Sequence, residues 1–177
     1  MYKILSVKKG ERVVIIIPDS TYSKDIIVIS SQLAKDYGSI FYLSLNKSYD
    51  ALIKNLENNK IDTSKFFFVD AVKKPMNSIK EPDNCIFISS ISAIGELSIA
   101  INKVLEKGKF ECFIFDSLST MLIYHDTTTI TKFIHNLITK LNELNCTAVF
   151  TCLEGDSNSP LIKDLGMLVD EVKRLEK

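Results

Sequence analysis

Short apolar runs alternate with longer amphipathic segments along most of this chain, and this alternation restricts its fold more than any other feature. The runs are rich in β-branched and aromatic residues and have the length of strands. They cover residues 13–17, 40–45, 66–70, 85–89, 111–116 and 147–153. Strands that alternate with helices favour β-α-β units with right-handed crossovers. The sequence therefore predicts an α/β fold with a doubly wound, mostly parallel sheet and helices on both faces, in three α/β/α layers.

The segments between the runs repeat apolar residues at helical spacing. They predict helices over residues 25–37, 48–56, 93–107 and 130–144. The end of the chain is ambiguous. It fits a helix throughout, or a short helix followed by an edge strand over residues 170–176.

Length and charge limit the kinds of function. The 177 residues suit one domain, residues 1–177. Lys+Arg and Asp+Glu both number 22, so the formal net charge is zero, and no overall field draws the protein to nucleic acid or to an anionic membrane. The first apolar stretch is far shorter than the roughly 20 residues that cross a bilayer. We expect a soluble, cytoplasmic protein without a membrane span.

The cysteines and histidines do not indicate a metal site. The cysteines show no C-x-x-C spacing, and free cysteine behaves as a small apolar residue, so buried reduced thiols are predicted. The four cysteines are Cys85, Cys112, Cys146 and Cys152. His125 and His135 lie ten residues apart without a partner at ligand spacing. No metal is expected.

Residues 18–25, P-D-S-T-Y-S-K-D, follow the first predicted strand, where a phosphate-binding loop belongs. The mononucleotide-binding pattern G-x-x-x-x-G-K-[ST] keeps its length and its lysine, Lys24. Pro18 and Ser23 replace the two glycines, and Asp25 replaces the Ser/Thr. Proline lacks an N–H, and serine resists a positive φ at a cost of roughly 1 kcal/mol. The segment therefore has the position of a phosphate loop without its chemistry.

Asp25 would oppose a nucleotide most strongly. Two like charges about 4 Å apart at an effective dielectric near 20 repel by roughly 4 kcal/mol, which weakens binding by about a thousandfold. A carboxylate at this place is also a good cap and dipole partner for the helix, which explains the residue without any ligand.

The order and spacing of several motifs resemble the RecA-like ATPase core of the KaiC family, nearly from end to end. G-E-R-V-V-I-I-I-P-D-S-T-Y-S-K-D is similar to the family's glycine, strand and phosphate loop. I-F-Y-L-S-L-N-K-S and F-F-F-V-D-A resemble its next strands, and F-I-F-D-S-L-S resembles its Walker B segment. D-L-G-M-L-V-D-E-V-K-R-L-E resembles its closing stretch, which favours the terminal edge strand. The resemblance implies a RecA-like fold.

The resemblance also implies what the site lacks. The family has a glutamate after the second strand to activate water, whereas Asn46 stands there and cannot take a proton. Asp116 is retained in the Walker B segment, and a Lys24–Asp116 salt bridge is favoured over a metal site. Carboxyl ends of parallel strands meet at one rim, so residues 18–25, Asn46, Asp116 and Thr151 are expected there. We expect no catalytic residue. The vestigial nucleotide-site positions are Pro18, Ser23, Lys24, Asp25, Asn46 and Asp116.

Three functions are compatible with these patterns. The leading hypothesis is a catalytically inactive RecA/KaiC-like domain that acts as a binding, regulatory or assembly module, with a protein partner or with itself. No cofactor is expected, although weak ATP and Mg²⁺ binding stays open. The alternative is an unorthodox ATPase that uses Lys24 and Asp116 and is completed by a partner subunit.

Single-stranded nucleic-acid binding is the third hypothesis. Lys73, Lys74 and Lys80 suggest it, since they lie in the irregular stretch of residues 71–84, which we predict to be a mobile surface loop. Zero net charge and the absence of an aromatic-basic platform argue against it.

Overall fold

The computed structural model of the chain describes residues 6–72 and 82–175. The strands within these residues are β1 (Arg12–Ile17), β2 (Ile40–Ser44), β3 (Phe66–Asp70), β4 (Cys85–Phe87), β5 (Cys112–Asp116), β6 (Thr147–Leu153) and β7 (Glu171–Arg174). The helices are α1 (Tyr22–Asp36), α2 (Tyr49–Asn58), α3 (Ile94–Lys107), α4 (Leu118–Tyr124), α5 (Thr127–Glu143) and α6 (Pro160–Leu165). Three short 3-10 turns cover Asp19–Thr21, Thr63–Lys65 and Glu154–Asp156.

The strands form one sheet in the order β4-β3-β2-β5-β6-β1-β7. Every pair of neighbouring strands is parallel, so the predicted parallel sheet is confirmed. From β2 the chain moves outward to β3 and β4 and then returns to place β5 on the other side of β2. A crevice at the carboxyl ends of the strands is expected where the direction of winding changes in this way.

Helices cover both faces of the sheet, and the predicted three-layer arrangement is confirmed. Successive strand residues point to opposite faces, so β2 sends Phe41 and Leu43 into one core and Ile40 and Tyr42 into the other. The first core contains buried residues of α3, α4, α5 and α6, and the second contains those of α1 and α2. Because both faces are covered, all five residues of β2 are buried, as its continuous apolar run predicts.

The structure decides between the two predictions for the end of the chain, a continuous helix or a short helix followed by an edge strand. After α6 the chain enters β7, which pairs in parallel with β1, so the edge strand is confirmed.

The helix α4 was not predicted, because its seven residues give only two turns of periodicity. α5 begins at Thr127, three residues before its predicted start at residue 130, with Asp126 accepting the Thr129 N–H at 2.9 Å.

The structure describes only part of the chain, which limits what it shows of the predicted loop and of a membrane span. Lys73, Lys74 and Lys80, on which the nucleic-acid hypothesis depends, lie outside the described residues, as does most of the predicted mobile loop. Among the helices of the described ranges, none combines the length and apolar character that a membrane crossing needs.

All four cysteines are buried and free, as predicted. Burial raises the pKa of the Cys146 thiol to about 12 and that of Cys152 to about 11. It also raises the pKa of Cys112 well above the usual range. These thiols therefore stay protonated and unreactive in the native protein at neutral pH.

We expect the free energy of unfolding to fall as the pH rises above about 9. In that range the unfolded chain loses thiol protons that the native protein keeps, because the native pKa values are raised. Each such thiol contributes up to about 1.4 kcal/mol per pH unit, a contribution fully retained below the unfolded pKa and lost as the pH approaches the native one. Urea unfolding in reducing buffer from about pH 8 to about pH 11 measures this slope. Cys146→Ala should make the slope shallower, and an unchanged slope would contradict the assignment.

Candidate functional site

Residues 18–25 fold as a tight turn and the first turn of α1 rather than as an open phosphate loop. Pro18 is extended, with φ −57° and ψ 133°. The Thr21 N–H then bonds the Pro18 carbonyl at 3.1 Å and closes the 3-10 turn. α1 begins at Tyr22, three residues before the predicted start at residue 25, which was therefore wrong. Since this segment has no glycine, it takes ordinary helical conformations instead of wrapping around an anion.

Asp25 lies in the first turn of α1 and is buried, with 2% of its surface exposed. Its Oδ2 accepts a hydrogen bond of 2.6 Å from the Thr21 hydroxyl, and its Oδ1 has no hydrogen-bond partner within the described residues. The N-cap position belongs to Thr21, so the predicted capping role of Asp25 was wrong. The carboxylate still lies at the helix end where a negative charge is stabilised.

Lys24 does not contact Asp116. Its side chain is exposed, and among the described residues it takes part in no ion pair or hydrogen bond. The predicted Lys24–Asp116 salt bridge was therefore wrong. Successive helical residues are rotated by about 100°, so Lys24 points well away from the direction taken by Tyr22, two residues earlier.

Asp116 is the last residue of β5, is 1% exposed and accepts hydrogen bonds from three side chains. The Tyr22 hydroxyl and the Asn46 Nδ2 both donate to Oδ1 at 2.5 Å. The Tyr42 hydroxyl donates to Oδ2 at 2.7 Å. The carboxylate is thus held by side chains from α1, β2 and the segment that follows β2.

The parallel register explains this convergence. Ser44 is paired with Asp116, so Tyr42 and Asn46 lie two residues before and after the partner of Asp116 on the neighbouring strand. Thr151 of β6 lies at the same rim, with its Oγ1 2.6 Å from the Tyr22 hydroxyl. Of the residues predicted to meet at one rim, the structure therefore brings Asn46, Asp116 and Thr151 together with Tyr22 from residues 18–25.

Burial is the main influence on the protonation of this group. It raises the pKa of the Asp116 carboxyl, and the hydrogen bonds from the three donors and the positive charge of Lys47 lower that pKa only in part. Burial, followed by the charge of Asp116, raises the pKa of both Tyr22 and Tyr42 well above the usual range. Tyr22 as a whole is partly exposed, but its hydroxyl is hydrogen-bonded to Asp116. Both hydroxyls keep their protons and remain donors.

An open depression of about 530 Å³ lies at this rim. Ser23, Asn46 and Asp116 line it, but Pro18, Lys24 and Asp25 do not. The remaining lining residues are Tyr22, Lys47, Ser117, Ser119, Thr120, Leu122, Ile123, Leu153 and Asp156. Of the six vestigial positions, the structure therefore brings three to the depression.

Among the described residues, no group of three or more histidine, cysteine or acidic side chains is arranged to hold a metal ion.

Both polar atoms of the Asn46 side-chain amide are hydrogen-bonded. Its Nδ2 donates to Asp116, and its Oδ1 accepts a short hydrogen bond from the Thr120 hydroxyl. Thr120 belongs to α4, which the sequence did not predict. The amide therefore bridges the carboxylate and the helix that borders the depression.

Sequence reasoning missed the two tyrosines that contact Asp116. A signal for Tyr42 was present, because a tyrosine inside a fully buried strand needs a partner for its hydroxyl. Tyr22 had no comparable signal, since it lies in a segment predicted to be a loop.

The all-parallel sheet, its strand order and the aspartate at the end of β5 define a RecA-like α/β domain. A family model described as "ATPase: KaiC" matches residues 7–164, and the chain belongs to this KaiC family. The solved structure of the KaiC-like protein PH0186 from the hyperthermophilic archaeon Pyrococcus horikoshii OT3 is similar, with a TM-score of 0.67. The match covers 97% of this chain and 74% of that chain at 13% identity, which shows the shared fold alone. A search of curated proteins gives no match.

Proposed function

We propose that this chain is a catalytically inactive member of the KaiC family that acts as a binding or assembly module. The observation that carries the proposal is the enclosure of Asp116 by three hydrogen-bond donors from its own chain. Tyr22, Tyr42 and Asn46 occupy both oxygens of the carboxylate.

This enclosure disfavours a metal-dependent reaction at Asp116. A carboxylate that holds Mg²⁺, directly or through water, needs an ionised oxygen that faces the ligand. Here both oxygens face protein donors, and burial shifts the carboxyl toward its neutral form by raising its pKa. Binding a metal at Oδ1 would require the Tyr22 or Asn46 side chain to leave first.

The phosphate side of the site supports the same proposal. A phosphate loop surrounds its ligand with inward backbone N–H groups and a lysine. In this chain the Thr21 N–H is used within the turn, and Lys24 is exposed away from Asp116. Asn46, at the position of the family's catalytic glutamate, is an amide and cannot act as a general base.

The rim retains features suited to binding another protein. The depression combines polar side chains with Leu122 and Ile123 of α4, and Ile123 is 77% exposed. Tyr124, the next residue, is 48% exposed. Exposed apolar and aromatic side chains beside a polar depression are typical of surfaces that contact protein partners.

Titration with Mg²⁺-ATP tests the proposal. We expect no saturable heat up to millimolar ATP and no hydrolysis above the buffer rate. Lys24→Ala should behave like the unchanged protein, and so should the control Lys35→Ala, which alters an exposed lysine on the same helix.

Clear micromolar binding would contradict the proposal. If Lys24→Ala abolished that binding and its hydrolysis while Lys35→Ala left both intact, the alternative of an ATPase that uses Lys24 and Asp116 would replace it.

A further inference from the structure

Within the described residues, no further strand pairs with the outer edge of the sheet at β7. β7 is the last strand in the sheet order and pairs only with β1 among the strands of the described residues. The Leu175 N–H bonds the Ile16 carbonyl at 2.9 Å. The Asp170 N–H bonds the Arg12 carbonyl of β1 at 2.8 Å, so it is not offered to another strand. Because inward and outward backbone groups alternate along the strand itself, the N–H and C=O groups of Val172 and Arg174 point away from β1. The edge therefore offers hydrogen-bonding groups to another strand.

The charges along this edge are self-complementary in the antiparallel direction. Residues 170–174 have the sequence D-E-V-K-R. When two copies align antiparallel about Val172, Glu171 faces Lys173 of the other copy, and Asp170 faces Arg174. Asp170 and Arg174 are four residues apart, and Glu171 and Lys173 are two apart, so each pair lies on one face of the sheet, as a two-fold axis requires.

We propose that β7 pairs antiparallel with β7 of a second copy of this chain, about a two-fold axis at Val172. The two Val172 residues form a hydrogen-bonded pair at the centre, flanked by Glu171–Lys173 pairs on one face and Asp170–Arg174 pairs on the other. The two sheets thereby become continuous.

Each of these four charged side chains already has an intramolecular partner, which a second copy would share or replace. Lys173 Nζ lies 3.2 Å from Glu171 Oε2 of its own strand and donates to the Ser6 carbonyl at 2.6 Å, and the Lys173 side chain is 19% exposed. A second copy would extend this pair into an array of four alternating charges. On the other face, Arg12 Nε lies 3.1 Å from Asp170 Oδ2 and leaves part of that carboxylate exposed, and Arg174 Nη1 lies 4.0 Å from Glu154 Oε1. Cross-strand pairs of opposite charge stabilise neighbouring strands.

Apolar side chains beside the edge add to the complementary charges. Val172 is 38% exposed, and Met167, in the segment between α6 and β7, is 80% exposed. A Cβ on Gly166 would lie 4.0 Å from Val172 Cγ2, so the segment that contains Met167 passes beside the strand. In an edge strand that is protected against self-pairing, like charges would face each other across the two copies. In this edge strand, charges of unlike sign face each other.

The contact is short, so weak association is expected. Two strands of this length bury less surface than a standard protein interface, which is typical of weak and transient contacts. The proposal is independent of whether ATP binds, since it concerns an edge strand and not Asp116.

Sedimentation of the full chain from about 10 μM to about 1 mM tests the pairing. The average mass should rise from 20.0 kDa toward twice that value as the concentration increases. Glu171→Lys should raise the dissociation constant at least about tenfold, because the new lysine faces Lys173 of the other copy. Lys173→Glu should do the same through Glu171. The control Lys107→Glu changes an exposed lysine at the opposite edge, beside Ile86 of β4, and should leave association intact.

Charge rescue makes the test specific to this pairing. An equimolar mixture of the Glu171→Lys and Lys173→Glu variants should form a heterodimer, because every facing pair is again opposite in charge. The double variant Glu171→Lys/Lys173→Glu should form a homodimer for the same reason. A wild-type protein that stays monomeric, single variants that associate like wild type, or a failure of both rescues would overturn the proposal.

A cross-linking measurement covers the case in which Lys173→Glu does not fold. The native cysteines are buried, so in Val172→Cys the new thiol is the accessible one. A short bismaleimide should join two copies of Val172→Cys covalently. Ile99→Cys, at a position that is 68% exposed on α3, should remain monomeric. Absence of a covalent dimer in Val172→Cys would overturn the proposal.

Discussion

Tyr42→Phe should lower the free energy of unfolding by about 2–3 kcal/mol at neutral pH. The substitution keeps the buried ring but removes the hydroxyl that donates to Asp116 Oδ2 at 2.7 Å. The carboxyl is 1% exposed, so water does not readily replace this donor. Urea unfolding at neutral pH measures the loss.

The control for this substitution is Tyr37→Phe. Tyr37 is also buried, but its hydroxyl donates to the Val7 carbonyl over a longer distance of 3.3 Å, and a loss below about 1 kcal/mol is expected.

Protonation of Asp116 should also reduce the cost of Tyr42→Phe. The native pKa of Asp116 is raised, so as the pH falls its carboxyl becomes neutral in the native state before it does in the unfolded chain. The hydrogen bond from Tyr42 then weakens to that of a neutral pair. The cost should likewise shrink when Tyr42→Phe is made together with Asp116→Asn. An equal cost with and without Asp116→Asn would show that the hydroxyl acts through some other contact.

Phe113→Ala should destabilise the protein by about 3–5 kcal/mol, a large part of the stability of an ordinary domain. Phe113 lies on the central strand β5 and is fully buried. Its ring centroid lies 5.0 Å from that of Phe41, 6.2 Å from that of Phe150 and 6.4 Å from that of Phe115. Removal of the ring opens a cavity between neighbours that are fixed on three strands.

Phe67→Ala is the matched control in the same core. Phe67 is only partly buried and lies on β3, nearer the edge of the sheet, so its truncation should cost clearly less. Urea midpoints of the two variants decide the comparison. Equal losses would mean that burial at the centre of the sheet does not control stability here.

The sheet could be predicted from sequence because its signals are local and redundant. Continuous apolar runs such as that of β2 suit a strand covered on both faces, and the helices between them show clear periodicity. Parallel pairing then follows from the alternation of elements. α4 gave no such signal, because two turns are too short to establish a period.

The sequence predicted where the site lies, but not which side chains contact Asp116 there. Strand ends determine where Asn46 and Asp116 lie, because parallel strands end at one rim. The partner of Asp116 depends instead on where α1 begins. A start at Tyr22 rather than at residue 25 turns the Tyr22 hydroxyl toward Asp116 and leaves Lys24 exposed. A shift of less than one helical turn at a helix end cannot be resolved from periodicity, yet it changes which side chain enters the site.

The contact between Tyr22 and Asp116 also gives the protein an internal optical probe. The chain contains six tyrosines and no tryptophan, so tyrosine dominates its near-ultraviolet absorbance and its fluorescence. Two of these six tyrosines donate to one carboxylate, and Tyr22 also lines the depression. A molecule that enters the depression and displaces the Tyr22 hydroxyl alters the environment of a chromophore that no tryptophan signal masks. Occupancy of this rim can therefore be followed by spectroscopy in the unlabelled, unmodified protein.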